Sequence, residues 1–202
     1  MKLQNLLKEE LWLKIEGNVL KIEEEGNSLG DKRLKTVTIN DLPDNVFAFT
    51  TDKVLNLSEG KVRKIRNQFL SDNEKGNIHK NCDAVIIQYK DNELKVMLCE
   101  LKSYSPTGYE AQLVNTKLFV EYLLSLYNTF KEENDPELTM TDVWYVIFYL
   151  KTPQSMDKDM RGKTKMHRIE KKKMGIFPSK EITKCAFFKP QHNYVKWAEL
   201  TI

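Results

Sequence analysis

The chain has 202 residues, of which 41% are hydrophobic and 30% charged, and its net charge is +3. That length and composition fit one globular α/β-sized domain and exclude a disordered or low-complexity chain. No apolar run approaches the ~18 residues of a membrane span, and Cys82, Cys99 and Cys185 contain no Cys-x-x-Cys pair, which speaks against a zinc ribbon or a disulfide framework.

Residues 3–16 are predicted to be helical, with Leu3, Leu6, Leu7 and Leu13 following the helical period and Glu10 on the same stripe. A charge on an apolar stripe is unusual, and it makes Glu10 a candidate for a functional acid. Glu9, Glu10 and Glu16 run through this segment and no small-residue cleavage site follows. It is therefore expected not to be a signal peptide, and a cytoplasmic protein is expected. Gly17-Asn18, Gly26-Asn27 and Gly30-Asp31 punctuate the next stretch. Val19–Ile22, Lys35–Ile39 and Val46–Thr50 are the strand candidates among them. A helix is expected from Ser58 to about Leu70, with Ser58 as N-cap and Val62, Ile65, Phe69 and Leu70 inward. Glu59 lies one turn before Val62 on that stripe; it serves either as an acid for a site or as a charge complementing the helix N-terminus.

Residues 82–117 organise the rest. Cys82–Lys90 and Leu94–Lys102 read as two strands joined by Asp91-Asn92. With Lys90 opposite Glu93, Asp83 falls across from Glu100. Alternation then puts Asp83, Val85, Ile87 and Tyr89 on one face with Leu94, Val96, Leu98, Glu100 and Lys102. Cys82 and Cys99 fall on the other face as small buried hydrophobes. Both faces are apolar, as expected of interior strands. Two carboxylates and an ammonium at one end of an apolar face need compensation, which a hard divalent cation or a simple ion pair would supply.

A helix from Tyr109 to about Glu132 is expected next, packed on the sheet through Ala111, Leu113 or Val114, Leu118, Tyr122, Leu126 and Phe130. Asn134-Asp135-Pro136 ends it. Asp142–Leu150 is an unbroken apolar and aromatic run, expected to be an interior strand. Lys158–Lys173 holds eight basic and two acidic residues and is expected to be a mobile loop, with or without a short helix. Its Lys163, Lys165, Arg168, Lys171, Lys172 and Lys173 are candidates for phosphate-backbone contacts, or form a solvated charge run. Ile182–Lys189 and Tyr194–Leu200 read as strands. Residues 1–60 carry eight Lys/Arg against eleven Asp/Glu, so the positive excess lies in the remainder, as suits a chain that meets a polyanion on one side.

The order Cys-Asp, strand, Glu-Leu-Lys, then a helix with Gln112-Leu113 resembles the PD-(D/E)XK nuclease superfamily over about 35 residues, with Cys82 where proline often stands. The resemblance implies one restriction-endonuclease-like domain over 1–202. Its core is a central mixed sheet flanked by helices over roughly 58–150, with decorations at 1–57 and 151–202. It implies Mg²⁺ or Mn²⁺ held by Asp83, Glu100 and the backbone carbonyl of Leu101, catalysis assisted by Lys102, and a supporting Gln112. An upstream glutamate is also implied, either Glu10 or Glu59. His79, four residues before Asp83, either approaches that end or is a loop histidine with no role. The implied activity is hydrolysis of phosphodiesters, in DNA rather than RNA. The alternative is a non-catalytic subunit of the same fold that binds nucleic acid or assembles with itself or a partner. A third reading is a structural Glu100–Lys102 ion pair in an unrelated α/β domain.

Overall fold

The computed structural model describes residues 3–23, 36–51, 54–56, 62–64, 80–102, 109–149, 167–169, 172–173, 181–182, 185–188 and 194–200. Elements in chain order are β1 (Ile15–Glu16), β2 (Val19–Glu23), β3 (Thr36–Asn40), β4 (Val46–Phe49), β5 (Val54–Asn56), β6 (Val62–Lys64), β7 (Ala84–Lys90) and β8 (Glu93–Lys102). They continue with α1 (Tyr109–Phe130), β9 (Thr139–Tyr149), β10 (His167–Ile169), β11 (Lys172–Lys173), β12 (Glu181–Ile182), β13 (Cys185–Phe188), β14 (Tyr194–Lys196) and α2 (Trp197–Leu200).

The β7–β8 hairpin forms in the expected register, Lys90 opposite Glu93 and Ala84 opposite Cys99. Asp91 and Asn92 both take positive φ, 50° and 64°. That is the backbone a two-residue primed turn requires and short polar side chains tolerate. Gly17-Asn18 does the same between β1 and β2, at φ of 54° and 65°. The hairpin is the middle of a mixed six-stranded sheet of order β10-β13-β9-β8-β7-β4. β8 pairs with β9 in parallel, which requires a crossover, and α1 supplies it. The sheet therefore draws β4, β10 and β13 from outside residues 58–150.

Alternation along the hairpin separates two cores. Val85, Ile87, Val96, Leu98, Tyr145 and Ile147 pack against Tyr109, Leu113, Val120, Leu123 and Tyr127 of α1. Ala84, Ile86, Met97, Cys99, Val146 and Phe148 pack instead against Leu20, Ile22, Val37, Ile39 and Val195. These last residues belong to a second sheet of order β1-β2-β3-β14. The expectation of helices on both faces is thus corrected in part: among the described residues one face carries α1, and the other a small sheet with only the single turn of α2, whose Leu200 is buried there. The β2 pattern Leu20/Ile22 buried and Lys21/Glu23 exposed is the half-buried strand that such a layer needs.

Several local expectations are corrected as well. Residues 3–16 form two short 3-10 turns, Leu3–Leu6 and Glu9–Leu11, before β1. The Thr50 N–H donates to the Leu11 carbonyl at 2.9 Å and the Leu13 N–H to the Ala48 carbonyl at 2.9 Å. This backbone is therefore tied to the β4 edge and cannot complete a helix. Val62–Lys64, inside the expected helix 58–70, is a strand paired with β5. β10 and β11 lie inside the run expected to be a loop, and 194–200 is a strand followed by a helical turn. On α1 the expected stripe holds only at its start: Ala111, Leu113 and Val114 are buried, whereas Leu118, Tyr122 and Phe130 turn outward, 45%, 58% and 69% exposed. Cys82 packs on the α1 side, opposite to expectation, because the ladder begins only at Ala84 and the preceding backbone does not alternate.

Candidate functional site

The site forms where β7 begins, β8 ends and α1 starts. Asp83 is the last residue before β7 and is 8% exposed; Glu100, two residues from the end of β8, is 2% exposed. Asp83 lies just beyond the paired ladder, and its Oδ2 accepts the Leu101 N–H at 2.6 Å. The group of Leu101 engaged with Asp83 is thus its N–H. A charge-assisted bond of this kind fixes the carboxylate on the end of β8.

Lys102 is the last residue of β8. Its Nζ meets Glu100 Oε1 at 2.5 Å and donates to Gln112 Oε1 at 2.8 Å. In turn Gln112 Nε2 donates to the Asn81 carbonyl at 3.1 Å. The chain of contacts continues from Asn81 Nδ2 to the Thr51 carbonyl at 3.2 Å. Two neighbours on α1 strap the same backbone. The Cys82 N–H donates to Thr116 Oγ1 at 2.9 Å, and Asn115 Nδ2 donates to the Lys80 carbonyl at 3.1 Å. Gln112, Asn115 and Thr116 are spaced i, i+3, i+4, so they share one side of the helix. Asn115 and Thr116 are buried. Gln112, expected in a supporting role, thus holds Lys102 and the entry to β7 in place.

The sequence reading missed Asn81, Asn115 and Thr116. The signal was present: polar side chains at helical spacing beside a buried hairpin need partners, and the backbone before Asp83 is the nearest set.

Burial chiefly, and next the Glu100 carboxylate, push the Cys82 thiol well above its ordinary value, with Asp83 adding to the rise. Burial, then Asp83 and Glu100, push Cys99 up in the same direction. The field of the two acids reaches both thiols, which remain buried and protonated.

Asp83 also lines an open cleft of about 500 Å³ together with Glu10, Trp12, Lys14, Lys21 and Thr50. Glu10, from the Glu9–Leu11 turn, therefore shares a space with Asp83. Among the described residues, no group of three His, Cys, Asp or Glu side chains is arranged to hold a metal ion. Glu59, His79, Lys163, Lys165 and Lys171 lie outside the described residues. The backbone of Arg168 lies in β10, opposite Ala186, and Lys172 and Lys173 make up β11. No helix among the described residues is long and apolar enough to cross a membrane.

No protein-family model, curated protein or solved structure matches the chain. The chemistry of the site is therefore read from its own atoms.

Proposed function

We propose that this is a metal-dependent nuclease of the PD-(D/E)XK type, hydrolysing phosphodiester bonds in DNA rather than RNA. The observation that carries the reading is the arrangement of Asp83, Glu100 and Lys102 at the open end of β7 and β8, with Lys102 bridged between Glu100 and Gln112. Two nearly buried carboxylates against one ammonium leave an excess of negative charge on hard oxygen donors. That donor set fits Mg²⁺ or Mn²⁺. Mg²⁺ in particular is commonly held by one or two carboxylates with water and substrate phosphate completing its shell, so a third acid is not required. Asp83 and Glu100 would hold the cation, with the Leu101 carbonyl at the same strand end and Glu10 across the cleft.

A cation bound there supplies Lewis-acid polarisation of the phosphate and a lowered pKa for the attacking water. The protein's own part is positional and electrostatic. Glu100 keeps the Lys102 ammonium at the site, and Gln112 fixes its direction. The ammonium then orients the attacking water and stabilises charge as it develops on the phosphate oxygens. The basic run from Lys163 to Lys173 would add affinity for the phosphate backbone without reading sequence. The cytoplasm is the compartment this reading favours.

A non-catalytic nucleic-acid-binding or assembly subunit, a homo-oligomer included, is the second reading, favoured because no three His, Cys, Asp or Glu side chains among the described residues are grouped to hold a metal ion. Single-turnover cleavage of plasmid and of linear single-stranded DNA, with Mg²⁺ or Mn²⁺, separates the two. The Lys102→Met variant should bind DNA like wild type and cleave about 10²-fold more slowly or worse, typical of losing one electrostatic stabiliser. A wild-type protein inert on DNA and RNA with either cation would overturn the nuclease reading; retained DNA binding would then favour the binding subunit, and its loss the structural ion pair.

A further inference from the structure

The cleft beside Asp83 has a composition that the hydrolytic site alone does not explain. Glu10 and Asp83 supply two acids, whereas the remaining charges are Lys14, Glu16, Lys21 and Glu23. These four are locked as two ion pairs, Lys14 with Glu16 and Lys21 with Glu23, all four side chains more than half exposed. The hydrogen bond and the charge of its partner raise Lys14 and lower Glu16 from their ordinary values. The acidic excess is thus confined to the Glu10 and Asp83 carboxylates, and the rest of the wall is neutral but made of two lysines.

An aromatic surface completes the wall. Trp12 is half-buried, lines the cleft and stands edge-on to both Phe47 and Phe49, with ring centroids 5.8 Å away in each case. Those contacts fix the indole, and the backbone of Trp12 bridges to Phe49 of β4. A rigid indole beside two lysines is the combination that takes a base and its flanking phosphates. The cleft, about 500 Å³, falls in the ~300–1,000 Å³ range of small-ligand sites, a volume for about one or two nucleotides rather than a length of duplex.

We propose that this cleft receives the single-stranded part of the nucleic acid leading to the carboxylates, with its phosphates displacing Glu16 and Glu23 from Lys14 and Lys21. The inference rests on the nuclease reading of the Asp83–Glu100–Lys102 site. In the free protein each lysine is paired with the glutamate two residues after it. On binding each lysine exchanges one carboxylate for one phosphate. The glutamates therefore compete with substrate, which gives the proposal an unusual sign: removing an acid should tighten binding, and so should removing both, provided the lysines remain.

The test is fluorescence anisotropy of a labelled oligothymidylate, with Ca²⁺ as a cation and over a range of salt concentrations. Lys14→Ala with Lys21→Ala should weaken binding about tenfold and reduce the salt slope by roughly 1.4, the single-strand value for two phosphates. Glu16→Gln with Glu23→Gln should bind about threefold or more tightly than wild type. Oligothymidylate should quench tryptophan fluorescence in wild type, and Trp12→Phe should remove that quench while Trp144 and Trp197 remain. A duplex of the same length should show neither the quench nor the dependence on Lys14 and Lys21. If both double variants bind the single strand as wild type does, or if the glutamate variant binds more weakly, the cleft is not its path. That outcome leaves the nuclease reading intact as long as wild type still cleaves and Lys102→Met does not. Loss of cleavage in every protein would instead strike the nuclease reading while the cleft result stood on its own.

Discussion

Gln112 is the residue whose removal tests the site's construction most severely, because it touches both halves. Gln112→Met keeps the length of the side chain and removes both of its hydrogen bonds. The first is the 2.8 Å bond that Lys102 Nζ donates to Gln112 Oε1. A hydrogen bond to a charged group contributes about 1.5–3 kcal/mol, reduced here to about 2 because Lys102 is partly exposed. The second is the 3.1 Å bond to the Asn81 carbonyl, which contributes about 1 kcal/mol. A loss of about 3 kcal/mol in a domain of this size lowers Tm by about 6–12 °C. Gln112→Glu separates the two contributions. It retains an acceptor for Lys102 and turns the donor into an acceptor facing the Asn81 carbonyl. Thermal melts should place Gln112→Glu and Gln112→Met both below wild type. Single-turnover cleavage should fall about tenfold only in Gln112→Met, where Lys102 loses its direction. A Gln112→Met protein melting within about 1 °C of wild type would refute this, since a network of that strength cannot vanish without cost.

Other consequences are accessible to simple measurements. Lys102→Met leaves Glu100 without its ammonium and should cost about 3–5 kcal/mol without metal, and most of that loss should return on adding Mg²⁺; melts with and without Mg²⁺ measure it. Burial raises the folded-state pKa of both Cys82 and Cys99 above the unfolded value, so the stability they confer is fully present below about pH 8.5. It is lost as pH rises toward the folded values, by about 1.4 kcal/mol per pH unit for each thiol, and a pH series of denaturant melts should lose that slope in Cys82→Ala with Cys99→Ala. Neutralising Lys171, Lys172 and Lys173 together should flatten the salt dependence of duplex DNA binding by up to ~3 units of slope and leave saturated cleavage nearly unchanged.

The hairpin was legible because period-two alternation and a polar dipeptide turn set register together. Lys90 opposite Glu93 fixes every pair back to Ala84 opposite Cys99. Asp83 came within reach of β8 by the same logic, although its bond goes to the Leu101 N–H. Helix α1 was legible in extent but not in orientation. It is apolar on two sides, so after the correctly placed Ala111 and Leu113 the stripe Leu118–Tyr122–Leu126–Phe130 matched the helical period as well as the buried Val120, Leu123 and Tyr127. The deciding residues were the polar ones, Asn115 and Thr116, which need partners when buried. The amino-terminal segment differs for another reason: the Leu11 carbonyl is committed to Thr50, just past β4, and the Leu13 N–H to Ala48 of β4, a tertiary demand that periodicity does not report. The small sheet on the second face escaped for the same reason, since β14 joins β3 from the far end of the chain.

The central claim is that Asp83 and Glu100 together hold a divalent cation, and calorimetric titration of Mn²⁺ tests it most directly. Wild type should bind with a defined stoichiometry, and at 100-fold excess over Kd the cation should stabilise the fold by about 2.7 kcal/mol. Asp83→Asn and Glu100→Gln should remain folded and lose both the binding heat and the stabilisation. Equal heats and equal stabilisation in all three proteins, or none in wild type, would contradict the account.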